Sequence, residues 1–318
     1  MKAIIRQLDL ELERFDVKEK SIETLFIGGG TPSTIAASLF IPFFKKISPY
    51  LKEDAEITTE ANPNSATKTW LNGMKDLGVN RISFGVQSFD TNKLTLLGRN
   101  HTSKQAYLAP QMAASCGFEN ISIDLIYGTH IDTKELLEQD LKLAFSLPIN
   151  HLSAYSLTIE ENTKFFSTPQ VSDDDEDIAY WFTKKIKSHL PQYEISNFGT
   201  YKSKHNLGYW QYKDYIGIGS GAVGFLKDRR FYPTSSIEDY IKDPLNITTE
   251  HLNTQAIKSE KILLGLRSDV GVKISLLNQK QHQLAKDLID AKKLIQKENI
   301  LYNPNFFLAD EISLYLLS

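Results

Sequence analysis

The stretch IETLFIGGGTPST, residues 22–34, ends a short apolar run in Gly28, Gly29 and Gly30. Bare backbone at the end of a strand serves one of two purposes. Either a ligand approaches the chain closely, or the chain turns where a Cβ would clash. Two familiar phosphate sites are excluded. No Gly-Lys-Ser/Thr follows the glycines, as a phosphate loop requires. Thr31-Pro32 stands where a dinucleotide fingerprint would lead straight into a helix. More polar residues recur near the ends of later strand-like runs: Glu60 and Asn62, Gln87, Asp124, then Tyr155 and Thr158. In a β/α barrel such positions converge on one mouth, where the site lies. Each of them alone is equally consistent with the polar punctuation that ends a strand.

The elements that must position these residues alternate. A helix is expected over 2–18, with Ile4, Ile5, Leu8, Leu12 and Phe15 at helical spacing. Strands are expected at 24–30, 55–63, 81–89, 120–128 and 151–159, with helices at 67–77, 103–115 and 134–146. That rhythm is the signature of a parallel α/β sheet, doubly wound or barrel-like. It stops after about residue 160. The run Asp173-Asp174-Asp175-Glu176-Asp177 is expected to start a helix, where acids complement the positive end, more than to bind a cation. Residues 191–234 read as short antiparallel strands. The end, 236–318, reads as mainly helical and closes in a helix, a hairpin and a last helix, a winged-helix-like order. Three segments are expected: 1–165, 166–235 and 236–318.

Composition narrows the classes. The chain has 318 residues, 41% apolar and 24% charged, with a net charge of −3. It has no basic stripe to favour nucleic acid. No window is long and apolar enough to span a membrane, and the charged amphipathic start is not a secretory signal, so a cytoplasmic location is expected. The single cysteine, Cys116, excludes an intrachain disulfide and a cysteine-only metal site within one chain.

Taken together, FIGGGTPS, TTEANP, NRISFGVQSFD with LLGRNH, NISIDLIYG and HLSAYSLTIEENT resemble, in order and spacing, the radical S-adenosylmethionine proteins related to oxygen-independent coproporphyrinogen III oxidase. YEISNFG, SKHNLGYW and YIGIGSGAVGF resemble the haem-chaperone (HemW) branch of that family. The resemblance covers essentially the whole chain. It implies a partial, three-quarter β/α barrel of the TIM-like type with a C-terminal α+β domain. It implies that Gly29, Gly30 and Thr31 line the methionyl end of S-adenosylmethionine, and that Glu60, Gln87, Arg99 and Asp124 contact the cofactor. It also implies that His205, Tyr209 and Trp210 meet haem, with His101 a weaker candidate. Asp124 as a helix cap, Arg99 as the partner of a neighbouring acid and His205 as a structural residue remain open alternatives.

The chain departs from the family at its start. Relatives carry Cys-x3-Cys-x2-Cys before the glycine motif, and those thiolates hold a 4Fe–4S cluster. Here that segment and the first barrel strand are absent, so the chain is expected to be an N-terminally shortened copy, through a misplaced start or fragment boundary or through genuine loss. As written it is expected to be catalytically inactive, with a cluster only in a longer form. LIYGTHIDT stands where relatives read LIYGLPGQT, and Val223 stands where they often have His. Three functions follow from the resemblance: a haem chaperone serving haem-accepting proteins, an oxidase acting on a porphyrinogen, or a cluster-free remnant.

Overall fold

A computed structural model describes residues 1–159, 169–173 and 175–318. The first elements are α1 (Lys2–Arg14), β1 (Ile22–Ile27), α2 (Ile41–Ile47), β2 (Leu51–Ala61), α3 (Lys68–Asp76) and β3 (Arg81–Gln87). Next come α4 (Thr91–Leu96), α5 (Ser103–Ser115), β4 (Asn120–Tyr127), α6 (Lys134–Phe145) and β5 (His151–Ser156). The later part holds α7 (Glu176–Lys187), β6 (Asn197–Gly199), α8 (Lys204–Trp210), β7 (Gly224–Leu226), β8 (Arg229–Pro233) and α9 (Ile237–Lys242). It ends with β9 (Ile247–His251), α10 (Thr254–Leu266), β10 (Val272–Lys273), α11 (Gln279–Asp290), β11 (Ile295–Lys297), β12 (Ile300–Tyr302) and α12 (Ala309–Leu317). The expected Asp174 and the stretch Glu160–Thr163 of the fifth motif lie outside the described residues.

The chain forms two compact units, and neither is contiguous. One comprises Met1–Glu23, Phe40–Ala55 and Ser203–Ser318, the other Thr24–Leu39 and Glu56–Lys202.

The second unit carries most of a curled six-stranded sheet in the order β1-β2-β3-β4-β5-β6. Strands β2 to β5 pair in parallel, and β6 closes the edge antiparallel to β5. Helices α3, α5 and α6 begin at threonines that follow the strands. Thr67, Thr102 and Thr133 each accept a hydrogen bond from a first-turn N–H, and Thr102 forms a reciprocal capping box with Gln105. Each such cap is worth about 1 kcal/mol. Asp175 does the same for α7, with Glu176 and Asp177 in its first turn, so the described part of the acidic run is a helix start.

Side chains alternate across this sheet with a period of two. On one face Ile82, Phe84 and Val86 of β3, Ile121, Ile123 and Leu125 of β4, and Leu152 and Ala154 of β5 are buried. They face the helices, where Ala106, Ala109 and Ala113 of α5 are buried with Leu137, Leu141 and Ala144 of α6. Small residues on α5 let its backbone approach the sheet. Each large apolar side chain buried here contributes about 1.5–3 kcal/mol. The opposite face carries Arg81 and Ser83 of β3, Ser122 and Asp124 of β4, and His151 and Ser153 of β5, and that inversion defines the site.

In the other unit, α1 packs against α2 and α9. Buried Gln7 of α1 acts as a clasp. Its Nε2 donates to the Gly217 carbonyl at 3.1 Å, and its Oε1 accepts from the Gly219 N–H at 2.9 Å and the Tyr240 hydroxyl at 2.6 Å. The loop GIGSGA is thereby tied to a residue more than two hundred positions away. The C-terminal end follows the winged-helix-like order: α10, β10, α11, the β11–β12 hairpin, then α12. Its antiparallel sheet runs β10-β12-β11, over a core of Ile262, Leu266, Leu288, Leu301, Ile312 and Leu316.

Candidate functional site

The site of the barrel unit begins at the glycine tip. Gly29 has φ +85°, a conformation open to glycine, and its N–H donates to Glu60 Oε2 at 3.2 Å. A Cβ at Gly28 would lie 2.7 Å from the Glu60 carboxyl carbon, whereas at Gly29 and Gly30 it would meet nothing within 4 Å. Gly28 therefore lets Glu60 close on the tip, and the next two glycines leave open room beside it. Thr31 Oγ1 faces Asn62 Nδ2 at 3.5 Å, and Ser33 Oγ accepts from the Asn62 N–H at 3.0 Å. The tip is thus pinned to the end of β2.

Register carries the remaining groups onto one face. Glu60 pairs with Ser83, Ser83 with Ser122, and Asp124 with Ser153. Ser83 Oγ donates to Asp124 Oδ1 at 3.3 Å, and Ser153 also bonds this carboxylate. Burial pushes the Asp124 carboxyl above its ordinary value, against those hydrogen bonds and the charges of Arg81 and Arg99. Glu60 is raised too, by burial first, with the Gly29 N–H opposing and Asp124 adding to the shift. Burial lowers the Arg99 guanidinium, and Asp124 pulls it back up. The Nε atoms of Arg81 and Arg99 are buried and have no hydrogen-bond partner among the described residues.

Gln87 ends β3 with φ +67°, just past a register shift in the β3–β4 pairing. A non-glycine residue held there costs on the order of 1–3 kcal/mol, and such strain collects at functional positions. The irregularity re-aims the side chain. A Cβ at Gly85 would lie 3.1 Å from Gln87 Nε2, so the missing side chain leaves room for this amide.

The residues expected at the site from the sequence are Gly29, Gly30, Thr31, Glu60, Gln87, Arg99 and Asp124. The structure gathers Gly29 with Glu60 and Thr31, and Asp124 with Arg99 through charge. It adds Arg81, Ser83 and Ser153, which no sequence motif singles out. Their signal was the period of two: each sits an even number of residues from a named polar position or in register with one.

Two histidines of this unit are structural. His101 Nε2 must donate to the Val86 carbonyl, 2.9 Å away. His151 contacts Ser122 Oγ at 2.7 Å through Nδ1 and the Tyr193 hydroxyl at 2.8 Å through Nε2. Burial lowers the pKa of both, helped by Arg99 for His101 and by Arg81 for His151. Each folded pKa lies below the unfolded one. The stability they contribute is therefore fully present above about pH 6.5 and is lost as pH falls toward the folded values, at up to about 1.4 kcal/mol per pH unit per group. Urea titrations between pH 7 and 6 are expected to show stability falling, with a shallower fall in His151→Gln. Equal slopes in the two proteins would refute the assignment.

In the other unit, His205 and Tyr209 lie one turn apart on α8. Their rings meet edge to face at 5.1 Å, and His205 Nε2 is 3.2 Å from the Tyr209 hydroxyl. Trp210 follows Tyr209 directly, about 100° further round the helix. The helix thus brings the first two together and aims the third elsewhere.

The fold and this polar-faced sheet define a partial barrel of the radical S-adenosylmethionine type. The family model described as the Radical SAM superfamily matches residues 3–144. The heme chaperone HemW of Lactococcus lactis is 34% identical over 293 residues, covering 87% of this chain and 77% of that protein. HemW of Bacillus subtilis is 34% identical over 272 residues, covering 80% and 72%. HemW of Escherichia coli is 39% identical over 226 residues, covering 68% and 59%. The solved coproporphyrinogen III oxidase HemN of Escherichia coli superposes with a TM-score of 0.77 at 17% identity, over 99% of this chain and 83% of that one, which shows a shared fold. The chain belongs to the HemW family of the radical S-adenosylmethionine superfamily.

The superfamily's two general cofactors fare differently here. Bare backbone beside Glu60, an orphaned Arg99 Nε and the Asp124 carboxylate fit a small ligand that carries both an amino and a carboxylate group, as S-adenosylmethionine does. The residues present do not fit a 4Fe–4S cluster. Such clusters take thiolate ligands, the sequence holds one cysteine, and Cys116 sits half-buried at the end of α5. Among the described residues, no group of three or more His, Cys, Asp or Glu could hold a metal ion, and no helix is long and apolar enough to cross a membrane.

Proposed function

We propose that this chain is a haem-binding chaperone that acts in the cytoplasm and passes haem to haem-accepting proteins. The observation that carries the reading is the His205–Tyr209 pair on α8, within SKHNLGYW. An imidazole is a common iron ligand, and a tyrosine one turn away offers an aromatic face and a hydroxyl. The relatives' names as heme chaperones support the same reading. Trp210, on another side of the helix, would contact the porphyrin only at its margin.

The barrel unit would hold S-adenosylmethionine, with Gly29, Gly30 and Thr31 at its methionyl end. Glu60 and Asp124 would accept from its donors, Gln87 would add an amide, and Arg99 would pair with its carboxylate. When bound beside a reduced cluster that cofactor supplies radical chemistry. What these residues themselves do is bind and orient it.

Titrating the purified protein with ferric haem is the test. A shifted Soret band with 1:1 saturation is expected. His205→Ala is expected to weaken binding about tenfold and to change the band position, as loss of an axial ligand does. Absence of haem binding by the parent would overturn the reading. Anaerobic turnover of coproporphyrinogen III would favour an oxidase instead.

A further inference from the structure

Tyr209 has a second role in its unit. It forms part of the wall of a cavity of about 340 Å³ bounded by α8, the residues that follow it, the β7–β8 hairpin and α10. The walls are aromatic. Tyr209 meets Tyr215 edge to face at 4.7 Å, and Tyr212 meets Phe225 at 4.9 Å. Leu263 and Leu264 supply aliphatic surface from α10. Two cations and one acid complete the lining: Lys213, Arg230 and Glu260.

The acid is already engaged. Glu260 accepts from Arg230 Nη2 at 2.6 Å through Oε1 and from the Tyr212 hydroxyl at 2.5 Å through Oε2. Its charge is compensated, and it holds the guanidinium in place. Arg230 also lies 3.6 Å from Glu250 Oε2 through Nη1 and bonds the Tyr215 and Tyr232 hydroxyls, and a second anion would have to share its five-donor fork with these partners. Lys213 pairs with Glu23 at 2.7 Å, with half of its side chain in water. Exposed pairs are weak, on the order of 0–1 kcal/mol, so a ligand carboxylate can recruit Lys213 at little cost.

Aromatic and aliphatic walls with cations among them select a flat, apolar molecule that carries carboxylates on one edge. The volume is at the lower end of ligand sites, roughly 300–1,000 Å³. It admits the edge of a macrocycle and not the whole. His205, bonded to the wall residue Tyr209, stands beside it.

We propose that this cavity receives the propionate-bearing edge of haem, with Arg230 and Lys213 as the carboxylate receptors. The proposal rests on the haem-binding reading above and adds the residues that select for free propionates.

The test compares haem with haem dimethyl ester, whose propionates are uncharged, on the full chain. Lys213→Gln and Arg230→Gln are each expected to weaken haem about tenfold, the scale of one charge-assisted hydrogen bond. Both variants should bind the ester as the parent does, with the Soret band unmoved. Leu264→Trp, which fills the cavity without touching a charge, is expected to weaken both ligands. Lys213 is exposed, so its variant reports even where loss of Arg230 from its pair with Glu260 disturbs folding. Haem binding that survives all three variants, or weakens equally for acid and ester in the two charge variants, overturns the cavity proposal and leaves the haem reading intact. A parent protein that binds neither ligand overturns both.

Discussion

Lys93→Met is expected to destabilise the protein by about 3–5 kcal/mol, the cost of leaving a buried charge unpaired. Lys93 Nζ lies 2.6 Å from Asp132 Oδ1, with side chains 0% and 2% exposed. Asp132 Oδ2 also accepts from the Thr129 N–H at 3.0 Å. Asp140 is close enough to feel Lys93, and accepts from the Ser88 hydroxyl and the Phe89 N–H, both at 2.7 Å. Burial raises the Asp140 pKa against those bonds. Removing the ammonium therefore strands a carboxylate among residues that brace the segment between Gln87 and Arg99. The double variant Lys93→Met/Asp132→Leu is expected to recover most of the loss, because a buried pair is often replaceable by apolar groups of similar volume. Urea unfolding midpoints measure both. A loss below about 1 kcal/mol for the single variant would show that water reaches the pair.

Gly28→Ala is expected to lower affinity for S-adenosylmethionine about 100-fold and stability by about 1–3 kcal/mol. The new methyl would lie 2.5 Å from Phe26 Cε1 and 2.7 Å from the Glu60 carboxyl carbon, so both must give way. The displacement of Glu60 opens its bond to the Gly29 N–H. Gly30→Ala separates the two effects. Its methyl meets nothing within 4 Å, so stability should stay within about 0.5 kcal/mol while the methyl occupies room meant for the ligand. Calorimetric titration with S-adenosylmethionine, beside thermal melts, reads both. Unchanged affinity in Gly28→Ala would remove the glycine tip from the binding site.

Asp132 shows how much a residue's role depends on a distant contact. It falls in LIYGTHIDT, two positions before the start of α6. In the fold it is the buried partner of Lys93. Lys93 in turn, preceded by Asp90, Thr91 and Asn92 in the first turn of α4, reads as a solvated helix position. Nothing local distinguishes a lysine that reaches water from one that reaches an aspartate some forty residues on.

The glycine tip, the strand ends Glu60 and Asp124, and the acidic helix start at Asp175–Asp177 were legible in the sequence. Each is fixed by short-range physics: backbone sterics, the period of two in a strand, and the unpaired N–H groups of a first helical turn. The family and the barrel type followed from the order of those motifs. Three things were settled only by tertiary contacts. Arg81 and His151 open their strands and look like boundary residues, yet register places them on the polar face beside Asp124 and Tyr193. The helix α1, whose apolar spacing marked it as amphipathic, joins the unit of the C-terminal segments because Gln7 clasps the loop at Gly217–Gly219. The cavity beside Tyr209 draws its lining from α8, the β7–β8 hairpin and α10, elements some fifty residues apart at their extremes. Sequence determines what each segment can form on its own. Which segments meet depends on burial and charge compensation over the whole chain, and no local pattern encodes that sum.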